Sequence, residues 1–296
     1  METESSLSSG NSDARILRLR DGRVLCYAEQ GDPTGTPVLF FHGIGGSRLS
    51  RHPDGSIARG LGIRLITFDR PGTGLSTPQP NRRIVDWPRD IEEFADAYGL
   101  DRFAVIGWSG GGPYALATAH QLPDRVTRLG LVASLTPLAG TSFVRHLAPD
   151  LRRRARLGRV LPWLVHAQAT RNARASARDP EAFVVADLAK APACDRAVLD
   201  DPSLRRMLID SQREAYRQGA IGVSGDALLY LRPWGFDPAD LRTPVRLWHG
   251  DEDETVAAPM GRHLAAVLPD CEATFVPGEG HMLCLTRWEE IIGAFA

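Results

Sequence analysis

The sequence predicts an α/β protein: a mostly parallel sheet flanked by helices and interrupted by an all-helical insertion. Three observations carry that expectation. Short apolar runs alternate with helix-period segments from residue 15 to 136. The strand signal then disappears over residues 137–236. It returns for the C-terminal stretch 237–296.

The first element, "RILRLRDGRVLCYAEQG", reads as a hairpin turning at Asp21-Gly22, because Asp-Gly supplies the positive φ such turns need. Four runs follow: "PVLFFHG", "IRLITFDRPG", "FAVIGWSG" and "VTRLGLVAS". Each is apolar on both faces, as strands of a covered parallel sheet must be. Between them "DWPRDIEEFADAYG" places Ile91, Phe94, Ala95 and Tyr98 at i, i+3, i+4 and i+7, and Gly99 ends that helix. A second helix, "GGPYALATAHQLP", starts directly after Ser109. In the insertion, "DPEAFVVADLAKA" and "DPSLRRMLIDSQREAYRQG" each open with Asp-Pro, a capping residue and then proline at the first helical position. Strands resume at "PVRLWHG" and "EATFVPGEGH", with a helix between them carrying Leu264, Val267 and Leu268 on its apolar face.

Composition narrows the function classes. The chain has 296 residues, 43% of them hydrophobic, and a formal net charge of -1. No basic excess points to nucleic acid, and no apolar run approaches the ~20 residues that span a bilayer. Residues 1–14 are polar and rich in serine, lack the basic and apolar regions of a signal peptide, and are expected to be a disordered leader. A cytoplasmic protein without membrane insertion is the expectation. The four cysteines, Cys26, Cys194, Cys271 and Cys284, form no CxxC pair, so plain thiols are expected and no metal site or cofactor is indicated.

The residues "GWSGGG" at 107–112 raise the chemical question. They fit G-x-S-x-G, in which a strand ends, the chain turns sharply and a helix begins. Bulky neighbours at 107 and 111 would clash in that turn, and glycine removes the clash. A phosphate-binding loop is excluded, since no Gly-Lys-Ser/Thr follows. A serine hydroxyl is a weak nucleophile and needs a base, and the base needs an orienter. Of eight histidines, His281 in "PGEGHM" follows the last strand, where loops of an open α/β sheet meet ligands. His42 is assigned to the turn after the first parallel strand, and His249 is read as structural. The acid is sought in "WHGDEDETV", where spacing alone does not choose between Asp251 and Asp253.

With "FFHGIGGS", "DRPGTGLS", "GWSGGGPYA", "HGDEDETV" and "GEGHM" in this order, the chain resembles the α/β-hydrolase fold superfamily, in particular its capped esterase-like serine hydrolases. The resemblance covers residues 15–136 and 237–296, the expected core domain, and places a helical cap at 137–236. It implies Ser109 as nucleophile and His281 as general base and acid. It selects Asp253, three residues after the glycine of the "HG" turn, as the acid. It implies an oxyanion hole from the backbone N–H groups of Ile44 and Gly110, and a turn-anchoring role for Asp69. Haloalkane dehalogenases and typical epoxide hydrolases of this fold use an aspartate where this chain has Ser109.

The expected activity is hydrolysis of a carboxylic ester or lactone of a small, hydrophobic molecule. Two alternatives stay open: cleavage of a peptide, carbon–carbon or thioester bond by the same triad, and a small-ligand binding or signalling module that retains it. Trp108, Trp163 and Met282 are expected to line the substrate pocket, with Leu161, Leu164 and Val165 as further candidates for its roof. Between Arg145 and Arg178 nine arginines accompany one acid, Asp150, so this stretch is either a solvated face or a basic rim.

Overall fold

The computed structural model describes residues 14–296, so the expectation for the leader lies outside the described residues except at Ala14. Eight strands form one sheet: β1 (Arg15–Arg18), β2 (Val24–Gly31), β3 (Thr36–Phe41), β4 (Ile63–Phe68), β5 (Phe103–Trp108), β6 (Val126–Val132), β7 (Val245–Gly250) and β8 (Cys271–Val276). Their order is β1-β2-β4-β3-β5-β6-β7-β8. β2 runs against both of its neighbours, and every pairing from β4 to β8 is parallel. The Asp21-Gly22 hairpin forms as its sequence requires, with Gly22 at φ 85°.

The apolar runs bury both faces because successive side chains of a strand alternate. Leu39 and Phe41 of β3 join Phe68, Val105 and Leu131 in one core, covered by the helices Trp87–Ala97 and Gly112–Gln121. Val38 and Phe40 point the other way and join Ile106, Val132, Trp248 and Trp288 in a second core.

After β3 the chain moves to one side for β4, then returns across β3 to place β5 on the other side. The loops leaving β3 and β5 therefore diverge at neighbouring positions of the same sheet edge. That crevice is where open α/β sheets bind ligands.

Between β6 and β7 every described regular element is helical. The longer ones are Pro149–Val160, Pro162–Arg178, Pro180–Leu188, Pro202–Ala215 and Ile221–Leu229. Asp179 and Asp201 cap two of them, accepting from Ala182 N–H and from Ser203 and Leu204 N–H. Buried polar groups join this segment to the sheet. The Arg48 guanidinium bonds both Asp69 and Glu214 at 2.6 Å. Asp226 receives Arg70, Arg82 and the Tyr114 hydroxyl. Asp69 also accepts from the N–H groups of Arg48 and Leu75, which fixes the turn in "DRPGTGLS".

Candidate active site

Ser109 follows β5 directly, at φ 55°, a left-handed conformation that is uncommon outside glycine. The turn closes because its flanks are glycines. A Cβ on Gly107 would stand 2.7 Å from Ala115 Cβ and Gly111 O, and one on Gly111 only 2.0 Å from Phe41 O. The helix Gly112–Gln121 begins one turn later. The strained backbone thus aims the hydroxyl away from the sheet and into a cavity of about 580 Å3.

Three distant side chains meet here. Ser109 Oγ lies 2.9 Å from His281 Nε2, and His281 Nδ1 lies 2.8 Å from Asp253 Oδ2. The other oxygen of Asp253 accepts from the N–H groups of Thr255 and Val256, both at 2.8 Å. Asp253 is therefore held at both ends, whereas Asp251 is exposed and pairs with Arg262. All three members are buried. Burial pushes the His281 imidazole down. The Asp253 charge and hydrogen bond outweigh it, with a further push from Asp195, and the net direction is above the ordinary histidine value.

Ile44 and Gly110 also come together. Gly43 faces the serine, since a Cβ there would lie 3.3 Å from Ser109 Cβ. One on Gly110 would lie 3.2 Å from Ile44 N. Arg70 holds the loop that carries Ile44 by donating to the carbonyls of His42 at 2.6 Å and Gly43 at 3.1 Å. Tyr230 Oη donates to Gly110 O at 2.8 Å and so steadies the turn from the other side. His42 is buried, with Nδ1 2.7 Å from Gly43 O. His249 is buried beneath Asp253, its Nε2 2.6 Å from Val256 O. The remaining histidines sit elsewhere, against Trp288, Phe236, Phe143 and Ser224.

The expected pocket residues need correction. Trp108 is buried in the second core, where its Nε1 donates to His281 O at 3.1 Å. Strand alternation sends it into the layer beneath the site. Met282 packs against the same core, and its N–H is engaged by Asp195. Trp163 is 63% exposed and lies outside the cavity lining, because Pro162 starts a helix and leaves the next residue at an outer corner. Leu161 is exposed as well. Of that stretch Leu164 and Val165 do line the cavity, with Leu135, Leu138, Leu147 and Tyr230. Arg153, Arg154 and Arg171 also line it, and among the described residues no aspartate or glutamate does.

One residue escaped the sequence reading. Asp195, in the short helix Ala193–Arg196, is buried against the loop of His281. Its Oδ1 accepts from Met282 N–H at 2.7 Å, and the His281 N–H faces the same carboxylate. A Cβ on Gly280 would strike that carboxylate at 2.4 Å, so glycine admits it. Nothing in the local pattern "APACDRAV" marks this aspartate, since its partners lie 86 and more residues away in the chain.

A hydroxyl, an imidazole and a carboxylate in one hydrogen-bonded line can generate a nucleophile at neutral pH. The alpha/beta hydrolase fold profile matches residues 36–287. The chain belongs to the α/β-hydrolase family. Among solved structures the chain is similar to a bromoperoxidase from Bacillus anthracis, with TM-score 0.72, 20% identity and coverage of 95% and 99% of the two chains. It is also similar to the esterase RhEst1 from Rhodococcus sp. ECU1013, with TM-score 0.69, 22% identity and coverage of 96% and 98%. In sequence it is similar to a proline iminopeptidase of Xylella fastidiosa, 36% identical over 125 residues, which is 39% of this chain and 38% of that protein. It is likewise similar to epoxide hydrolase B of Mycobacterium tuberculosis, 33% identical over 135 residues, 44% of this chain and 37% of that protein. The matched stretches thus span about two fifths of these curated relatives. The four free cysteines are buried or half-buried, and no group of metal-ligating side chains occurs among the described residues. No described helix is long and apolar enough to cross a membrane.

Proposed function

We propose that this hydrolase cleaves a carboxylic ester or lactone of a small, largely apolar molecule through an acyl-enzyme. The observation that carries the proposal is the 2.9 Å and 2.8 Å relay from Ser109 through His281 to Asp253, opening on a cavity lined mostly by apolar side chains and by three arginines. His281 takes the serine proton as Oγ attacks the carbonyl carbon. Asp253 holds the imidazole with Nε2 facing serine and stabilises the imidazolium that forms. The N–H groups of Ile44 and Gly110 receive the oxyanion, each donor of this kind contributing roughly 10²–10³ in rate. His281 then protonates the leaving alcohol, and water releases the acid by the same steps in reverse. Expected of this reading are Ser109, Asp253 and His281 as the catalytic residues and residues 137–236 as a cap over them.

Peptide cleavage is the second reading, favoured by the similarity to proline iminopeptidases. A free N-terminus would bring a positive charge into a cavity lined by Arg153, Arg154 and Arg171 and, among the described residues, by no carboxylate. Burying an unpaired cation there costs several kcal/mol. The cavity chemistry therefore favours the ester.

The test is a panel of p-nitrophenyl esters, lactones and proline p-nitroanilide. Ester turnover is expected to exceed amide turnover and to vanish in Ser109→Ala with unchanged circular dichroism. Retained ester turnover in that variant would remove Ser109 from the mechanism. Preferential cleavage of the prolyl amide would establish the second reading instead.

A further inference from the structure

Seven large apolar side chains stand most exposed among the described residues, and four of them lie within residues 157–163. Leu157 is 41% exposed, Val160 76%, Leu161 39% and Trp163 63%. They form the corner where the helix Pro149–Val160 meets the helix Pro162–Arg178. Leaving such a knuckle in water forgoes the hydrophobic gain of covering its exposed area. It is also strongly basic. Arg153 and Arg156 are exposed and share the face of Leu157 and Val160 at helical spacing, i, i+3, i+4 and i+7. Arg171 is exposed on the second helix. Arg171 donates to Gln168 Oε1 at 2.7 Å, and Arg154 sits within electrostatic range of Asp187.

We infer that this corner docks the protein on an anionic lipid surface. An exposed tryptophan, valine and leucine can enter the headgroup region, while arginine stems snorkel and their guanidinium groups meet lipid phosphates. Each basic residue near such a surface contributes about 1 kcal/mol. The corner's charge selects an anionic surface over an uncharged apolar partner or a second copy of this basic segment. Leu157, Arg153 and Arg171 also line the cavity that reaches Ser109. Docking therefore sets the cavity mouth against the lipid, so that esters dissolved in the bilayer enter without crossing water. This last step rests on the ester reading; the docking itself does not.

Vesicle flotation of the full chain tests it. Co-flotation is expected with phosphatidylcholine vesicles containing phosphatidylglycerol and much less with phosphatidylcholine alone, and it should weaken with added salt. The double substitution Val160→Ser with Trp163→Ser should lower the partition constant at least about tenfold. Arg153→Gln with Arg156→Gln should lower it by about fivefold per charge on anionic vesicles only. Circular dichroism checks that these exposed substitutions leave the fold intact. Absence of co-flotation, or co-flotation indifferent to Val160 and Trp163, overturns the inference. So does light scattering that finds a dimer dissolved by the same double substitution without vesicle binding. Binding that persists in Ser109→Ala, with no ester hydrolysed by the parent, would keep the docking and remove the ester reading.

Discussion

At the scale of single residues, the site turns on the protonation of one ring. His281 can accept the serine proton only when neutral, and its neighbours raise it above the ordinary 6.5. The sign follows: kcat/KM should fall as pH drops through that raised value and level off above it. Asp253→Asn removes the charge that raises it, so the limb should move to lower pH. The plateau should fall by roughly 10⁴, as loss of the orienting carboxylate does in other triads. Asp195→Asn is a finer probe. The amide oxygen can still accept from Met282 N–H, but the charge is gone. The expected outcome is a smaller acidward shift of the same limb, read from a pH–rate profile. An unmoved limb would confine Asp195 to holding the loop. Ser109 and His281 were legible because each sits in a short glycine-bounded string at a strand end. Asp253 was not, on spacing alone, and the resemblance had to choose it. What distinguishes it physically is the pair of N–H groups from Thr255 and Val256, which only the folded loop provides.

At the scale of elements, the helix Ile221–Leu229 reaches the candidate site through charge. Asp226 pairs with both Arg70 and Arg82, and Arg70 in turn grips the consecutive carbonyls of His42 and Gly43. Burial alone would raise the Asp226 carboxyl. The charges of Arg70 and Arg82 outweigh it and hold the group well below the usual range. Its stabilisation is therefore full above the unfolded value and is lost as pH falls toward the depressed folded one. Asp226→Asn should cost about 3–5 kcal/mol at neutral pH, the cost of stranding buried cations. Urea unfolding at several pH values checks both statements, since the difference from the parent should shrink in acid. Loss of the strand signal marked the segment 137–236 as helical and Asp-Pro found two of its helix starts, but the helix Ile221–Leu229 was not singled out. Helix periodicity could not tell which apolar side chains of the Leu161–Val165 stretch turn inward. Leu164 and Val165 do, and Trp163 does not, because the axis of a helix beginning at Pro162 is set by its neighbours.

For the whole molecule, the parallel sheet was the most legible feature. Strands apolar on both faces have few other places to go, and β3 to β8 form one sheet in the expected direction. The strand order was not legible, since it depends on crossovers of similar local sequence. Yet that order makes the site, by sending the loops after β3 and β5 apart at one edge. A core truncation far from the site tests the separation of frame and chemistry. Phe94→Ala, deep in the first core, should cost about 3–5 kcal/mol. Below its lowered melting temperature the variant should keep the parent's pH–rate limb, because nothing around His281 has changed.

The bond from Asp226 to two arginines also bears on how such a molecule could be rebuilt. Arg70 and Arg82 belong to the sheet-bearing half, and their acid arrives from the helical half. Grafting a foreign lid between β6 and β7 would therefore be a problem of electroneutrality before one of shape. A transplant without an acid at the place of Asp226 strands two guanidiniums behind the loop that follows β3, however well its helices fit.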